Sequence, residues 1–537
     1  MERVKVMHQC GHNTKWNIIS FIEDKIGDGL IISPADLEVN KVNDLPDSVK
    51  SVSYFDPQYY LPTSEKKKLN SYPFFPKTYL EGRQYSTQLS YKCRFELAKE
   101  CVQYQKNNNY KYIVIPTIYE ENFIDNTYDE LEQLIITPFI DAISRLQCNK
   151  PVLLTAMINK NQLIIDDMNI QLLNFLTSYP EIDGIYLIPI IQRDVSQKRI
   201  SDINLLFSLM KTINALKMAD LEVHLGYTDV EGYLLTIAGP NSISIGAYEN
   251  SRRFDIKKFG QKGRTQQPNA RLYSNVLLQW IDTDYIDSLF SMFKKANELF
   301  ENNEYLNLML RTSYNWHFTK KEPYMHYFTS FSHQVYSLHN TLQERYNDIY
   351  KTLINAKQYF SEISESGVVL DAPSSGGHID KWITALNRYA TFKGVRINVQ
   401  NWSRNDSIVY EQPKKTFFDN DETVQIIQEV QGLFGIPDVV LKADIIIAVE
   451  YKLSNWKKAL IQAFRYKNFA HASFVILDKD YYHRATKNID SFIRSKVGLG
   501  YVDETGDIII NYNPGISKPF SSRSLERINH IFETQFA

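Results

Sequence analysis

The stretch Gly435-Ile-Pro-Asp-Val-Val-Leu-Lys-Ala-Asp-Ile-Ile-Ile-Ala-Val-Glu-Tyr-Lys452 decides how the C-terminal third of this chain is read. Its two apolar, β-branched runs are separated by only a few residues between Leu441 and Ile445, which predicts two strands joined as a tight hairpin. Alternate side chains of a strand share a face, so Glu450 and Lys452 point together while Val449 and Tyr451 point into the opposite layer. Asp438 lies on the preceding strand, where the hairpin can set it beside Glu450. Two carboxylates and an ammonium then converge. Hydrolysis of a phosphodiester calls for hard oxygen ligands to Mg²⁺ or Mn²⁺, a cation that acidifies the attacking water, and positive charge facing the crowded phosphate oxygens. A Glu-x-Lys strand end by itself is more often a solvated edge with a cross-strand ion pair, so the flanking residues have to decide.

Downstream, Leu453 to Ala470 reads as a helix with Ser454 or Asn455 available as its cap. Trp456, Ala459, Leu460 and Ala463 form its apolar stripe. Lys458, Gln462, Arg465 and Tyr466 recur at i, i+4, i+7 and i+8 on another face, which is polar, basic and aromatic and suits phosphate contact. An ordinary solvated helix face has the same composition.

Taken together these residues resemble the PD-(D/E)XK nuclease superfamily. Ile436-Pro437-Asp438 matches the PD element, Glu450-Tyr451-Lys452 the (D/E)XK element, and Gln462 to Tyr466 the QxxxY helix of a subset of these enzymes. Ser473-Phe-Val-Ile-Leu477 looks like the core strand that follows. The resemblance covers the last third of the chain and implies a restriction-endonuclease-like α/β domain over 366–537. It further implies that Asp438 and Glu450 hold Mg²⁺ or Mn²⁺ and that Lys452 orients or activates the water. Gln462 and Tyr466 would support the site, with Lys458 and Arg465 on the nucleic acid. A third metal-ligating carboxylate is less clear: Glu429 is the nearest candidate, with Glu422, Glu411 and Asp380 as alternatives.

The N-terminal half has a different rhythm. Short apolar runs recur at Val4–Met7, Leu30–Ser33, Val52–Phe55, Tyr112–Pro116, Val152–Met157, Ile185–Ile190, Glu222–Gly226 and Ile243–Ala247. Between them, Trp16–Ile26, Leu89–Lys106, Glu130–Leu146, Met168–Ser178 and Ile203–Ala219 carry helical spacing of apolar residues. This alternation predicts a (β/α)₈ TIM-barrel-like domain over 1–285, although a doubly wound open sheet gives a similar pattern. A barrel would gather the loops after each strand on one rim. The polar residues there, His8, His12, Asp36, Asp56, Gln58, Glu120, Glu121, Gln192, Arg193, Thr228, Asp229 and Glu249, predict an acid-rich pocket, while loops are polar by default. No Gly-rich phosphate loop or HExxH motif is present.

Residues 286–365 read as a helical connector whose aromatic run, Tyr324 to Phe331, could serve as an oligomer interface. Ser361 to Gly377, ending Ser374-Ser-Gly-Gly377, has linker composition and marks the expected domain boundary. Ser251 to Arg271 concentrates basic residues in a loop.

At 537 residues and 43% hydrophobic the chain can build more than one core. A net charge of −2 rules out a global basic field, so any nucleic-acid surface must be local. The opening residues lack a signal-peptide core and no apolar run reaches membrane-helix length, which predicts a cytoplasmic protein. The four cysteines include no CxxC pair, which predicts free thiols.

The expected function is a metal-dependent endonuclease acting on DNA, in bacterial antiviral defence or the DNA processing of a mobile element, with the barrel as a sensing or specificity domain. A homo-oligomer or a defence-system partner protein would fit that role. Two other classes compete: a catalytically silent DNA-binding or assembly module, and a barrel enzyme acting on a nucleotide or modified base with the C-terminal domain delivering it to nucleic acid.

Overall fold

The computed structural model describes every residue except 1, 78–89, 122–126, 195–197, 261–268, 312, 396–415, 419–422, 429, 431–436, 453–455, 504–505 and 537. The chain divides into two compact units, residues 1–396 and 397–537.

In the first unit, eight parallel strands follow the expected rhythm: β1 (Lys5–Gln9), β2 (Gly29–Ile32), β3 (Tyr54–Phe55), β4 (Ile113–Ile115), β5 (Val152–Asn159), β6 (Gly184–Ile190), β7 (Glu222–Leu225) and β8 (Ser242–Ile245). They run in the order β3-β2-β1-β8-β7-β6-β5-β4. Five steps separate β3 from β6, roughly 24 Å in a flat sheet of strands about 4.8 Å apart. Yet the Tyr54 ring of β3 lies 5.5 Å from the Tyr186 ring of β6 and 5.8 Å from the His224 ring of β7. The sheet therefore curls until its edges meet, and the Lys111 N–H donates to the Ser53 carbonyl at 2.9 Å across the remaining seam. The result is a nearly closed TIM-barrel-like fold whose interior is filled by tyrosines. Gly226 has no side chain because a Cβ there would lie 2.5 Å from the Tyr186 ring.

A hairpin follows, β9 (Arg271–Ser274) and β10 (Gln279–Asp282), with a core of its own that includes Leu272, Ile281, Leu289 and Leu299. The helices of 286–365 pack back onto the barrel. Tyr327, Phe328 and Phe331 are fully buried, Trp16 stacks on Tyr324, and the His8 ring meets Phe328 edge-on. The aromatic run is thus core, and the oligomer surface expected from it is not there. The expected boundary at 361–377 also moves. Ser374 Oγ accepts the Asp282 N–H at 3.2 Å, and the Ser375 carbonyl accepts from Gln279 at 2.9 Å. The following helix, Ile379–Phe392, buries Trp382, whose indole N–H donates to the Ile200 carbonyl at 2.8 Å. Residues 366–396 consequently belong to the first unit, because a Ser/Gly turn that looks like a linker is pinned to the hairpin by hydrogen bonds between residues distant in sequence.

The second unit is a six-stranded mixed sheet, β11 (Gln425–Gln428), β12 (Val439–Lys442), β13 (Ile446–Lys452), β14 (Ala472–Asp478), β15 (Gly498–Val502) and β16 (Ile508–Tyr512), in sequential order. β13, β14 and β15 are mutually parallel and the outer pairings are antiparallel. One face packs Ile446, Ala448, Val475 and Leu477 against Ala459, Ala463 and Tyr466 of the helix Trp456–Tyr466 and against Ile528 and Phe532 of the C-terminal helix. The other face gathers Val439, Ile447, Val449, Phe474 and Ile476. No helix among the described residues is long and apolar enough to cross a membrane.

Candidate functional site

Two adjacent strands deliver the carboxylates of the C-terminal unit. Val439 lies opposite Val449 in the antiparallel β12–β13 pair. The next position outward sets Asp438 opposite Glu450, and opposed residues of such a pair share a face. Asp438 Oδ2 accepts the Tyr451 N–H at 2.7 Å, which fastens the start of β12 to the end of β13. Period-two alternation then puts Glu450 and Lys452 on the face of Ile446 and Ala448, toward the helix Trp456–Tyr466.

Glu450 is fully buried. Lys452 Nζ lies 2.7 Å from its Oε1, and the Tyr466 hydroxyl donates to its Oε2 at 2.5 Å. A buried carboxylate is tolerable only with such charge-assisted partners. Lys452 keeps 30% of its side-chain exposure, so its ammonium reaches from the buried carboxylate toward solvent. Burial alone would lower the Lys452 pKa, but the Glu450 hydrogen bond and the charges of Asp438 and Glu450 prevail and raise it. Burial, with the bond to Glu450 and the same two charges, pushes the Tyr466 phenol far above its ordinary range. Tyr466 is therefore a hydrogen-bond donor at every physiological pH.

Gln462 hydrogen-bonds Tyr466 through its side chain, and its own Oε1 is buried without a hydrogen-bond partner. Lys458 and Arg465 lie exposed on the same helix. The basic and aromatic face read from the sequence therefore splits. Tyr466 joins the buried stripe of Ala459 and Ala463, seven residues after Ala459 and three after Ala463, instead of facing solvent with Lys458. Glu429, Glu422 and Glu411 lie outside the described residues. Asp380 is in the first unit, where it pairs with Lys357 at 2.7 Å.

Among the described residues no group of three His, Cys, Asp or Glu stands together. The donor set that does converge, the carboxylates of Asp438 and Glu450, is made of hard oxygens. That chemistry fits Mg²⁺ or Mn²⁺, which bind through one or two carboxylates and keep several waters.

The barrel rim is less open than expected. His8 lies within β1, buried, with Nε2 2.9 Å from the Ile26 carbonyl, and is a core residue. Asp56 is fully buried and accepts from the Tyr60 hydroxyl at 2.8 Å and the Gln58 N–H at 3.1 Å. Burial pushes its carboxyl up to about 7 against those hydrogen bonds. Gln58 donates in turn to Tyr227 at 3.2 Å, and Asp36 is paired with Lys258 at 2.8 Å. The part of the expected rim pocket around Asp36, Asp56 and Gln58 is filled by its own side chains, whereas Arg193, Asp229 and Glu249 line a cleft. Cys10 and Cys101 are buried, and all four cysteines are free thiols.

No family model matches the chain, and no curated protein matches it. Among solved structures, dihydrodipicolinate synthase from Oceanobacillus iheyensis is similar at 11% identity, over 56% of this chain and 80% of that one, with a TM-score of 0.19. So loose a likeness carries no argument; the barrel rests on its own strand order and interior contacts.

Proposed function

We propose that the C-terminal unit is a metal-dependent nuclease of the PD-(D/E)XK type that hydrolyses phosphodiester bonds, with DNA as its polymer. The observation that carries this reading is the meeting of Asp438, Glu450 and Lys452 at neighbouring strand ends, with Glu450 fixed by Lys452 at 2.7 Å and Tyr466 at 2.5 Å. Asp438 and Glu450 are the residues that would hold Mg²⁺ or Mn²⁺, which when bound polarises the scissile phosphate and acidifies a water. Lys452, paired with Glu450, orients or activates the water and offsets the charge gathering on the phosphate oxygens. Tyr466 and Gln462 position Glu450. Exposed Lys458 and Arg465 lie on the same helix and suit backbone phosphates. A role in antiviral defence or mobile-element DNA processing, in the cytoplasm and with a partner protein, follows from pairing such a unit with a large barrel.

The test is cleavage of plasmid, linear duplex, single-stranded DNA and RNA by the full chain with Mg²⁺ or Mn²⁺, beside Glu450→Gln and Lys452→Ala. Metal-dependent cleavage lost in both variants is the expected result. Cleavage that persists in both would remove the site from the reaction. Absence of cleavage by the intact chain on every substrate would favour the silent DNA-binding module.

A further inference from the structure

The barrel holds a second built site, formed after the C-terminal ends of β6, β7 and β8, where Arg193, Arg199, Asp229, Glu231 and Arg252 are gathered. Asp229 is buried, and its Oδ2 lies 3.3 Å from Arg193, 3.2 Å from Arg199 and 3.4 Å from Arg252. Glu231 takes the other side of Arg193 at 2.6 Å. Within this buried group three guanidiniums face two carboxylates, and Arg199 Nε has no hydrogen-bond partner. Glu249, 39% exposed, faces Lys198 at 3.6 Å and Arg253 at 3.8 Å and shares its charge with Arg252 and Arg193. Asp282, next to the cleft, faces Arg271 at 3.7 Å. Burial and the neighbouring arginines depress the Arg199 pKa, while Arg252, Arg199 and Arg193 overcome burial to hold Asp229 well below the usual carboxylate range. A buried excess cation is costly unless an anion completes it.

The arginines open onto a cleft of about 80 Å³, room for several waters and so more than a simple ion needs. Its walls include Trp280, Tyr324 and Tyr248. The Arg252 guanidinium stacks over Trp280 at 4.1 Å, and the Trp280 N–H donates to Asp229 at 3.2 Å, so the aromatic wall and the cationic floor are one unit. Tyr248 remains half-buried, its ring beside those of His12, Trp16 and Tyr324. Guanidinium forks match phosphate oxygens and aromatic walls match bases.

We propose that this cleft binds a nucleoside phosphate, the phosphate completing the Arg199 and Arg252 cluster and the base lying against Tyr248. The site stands independently of the hydrolytic reading of the C-terminal unit.

The test is calorimetric titration of the full chain at low salt with the common ribonucleoside 5′-monophosphates, their nucleosides and inorganic phosphate. At least one monophosphate should bind about tenfold or more tightly than both its nucleoside and phosphate alone. Arg199→Gln should weaken it by about tenfold, the cost of losing a charge-assisted contact. Because that variant disturbs a buried network, Lys198→Glu at the 40% exposed rim serves beside it and should weaken binding severalfold without loss of fold. No monophosphate bound at about 1 mM, or unchanged affinity in both variants, would overturn the site. Phosphate binding as tightly as every nucleotide would overturn the nucleotide assignment.

Discussion

Tyr466→Phe removes one hydroxyl and leaves Glu450 Oε2 facing an apolar ring at a fully buried position. A hydrogen bond to a charged group contributes about 1.5–3 kcal/mol, and no solvent stands ready to replace this donor. Since Glu450 has only 1% side-chain exposure, that range needs no discount for screening, and the single variant should lose roughly 2 kcal/mol. Glu450→Gln keeps the shape but gives up the attraction of Lys452 and the strength of the acceptor. If the phenol and the carboxylate act on each other, the double variant must be less damaged than the two singles combined, by roughly 1–2 kcal/mol. Native-state hydrogen exchange at the amides of β13 and β14 reads this cycle in the C-terminal unit without interference from the barrel. A coupling below about 0.5 kcal/mol would mean that Tyr466 does not hold Glu450, and the positioning role would fall with it. In cleavage assays the same Tyr466→Phe substitution should cost roughly 10–100-fold, as loss of a group that orients a metal ligand does.

Burial lowers His8 and His326 to about 4 and His378 to about 3, and raises Asp56 to about 7. Between pH 6.5 and 5 the unfolded chain takes up three protons that the folded histidines refuse, whereas folded Asp56 keeps one that the unfolded chain has released. Stability should therefore fall as the pH falls across this window, by about 3 kcal/mol in all, and a Tm that is flat or rising from pH 6.5 to 5 would contradict it. Trp382→Ala removes a fully buried indole and should cost about 3–5 kcal/mol in the N-terminal unit. A fragment 1–396 should likewise melt cooperatively where 1–365 does not, and equal melting of the two would restore the earlier boundary. Gly498→Ala sets a Cβ 2.1 Å from the Phe474 ring between β14 and β15 and should destabilise the C-terminal unit by about 1–3 kcal/mol; a neutral urea midpoint would show that the ring can move aside.

All eight barrel strands were legible in the sequence because each is a short apolar run bounded by turn residues, and the helices between them carry a clear apolar spacing. Closure was not legible. It depends on Tyr54, Tyr186 and His224 meeting across the interior, a relation between residues far apart in the chain. At the C-terminal site, the hairpin and strand alternation sufficed to bring Asp438, Glu450 and Lys452 together. The side of the helix on which Tyr466 falls was misjudged, since an amphipathic aromatic suits either face until its hydroxyl finds a buried acceptor. The Ser374 turn was misread for a related reason: composition reports that the chain bends there and says nothing of what the bend packs against. Arg199 gave no signal at all. It follows Lys198 in a polar loop, and only the buried Asp229 at 3.2 Å distinguishes it from a solvated cation.

The near-neutral charge of the whole chain makes the local distribution informative. A net charge of −2 gives no long-range pull on a phosphate backbone, so capture of nucleic acid falls to contacts at the site itself or to a partner. Among the described residues at the proposed catalytic end, Lys452 is engaged by Glu450, and Lys458 and Arg465 are exposed on the adjacent helix. In the barrel the same economy takes the opposite form, with arginines buried around one carboxylate rather than spread over a surface. Buried guanidiniums cannot grip a polymer, but they can discriminate a small anion that enters the cleft. On the two proposals made above, the barrel unit would enclose a small phosphate ligand and the C-terminal unit would present its carboxylates and ammonium to a phosphodiester. On those proposals the occupancy of the arginine cleft is a variable to control when cleavage is assayed.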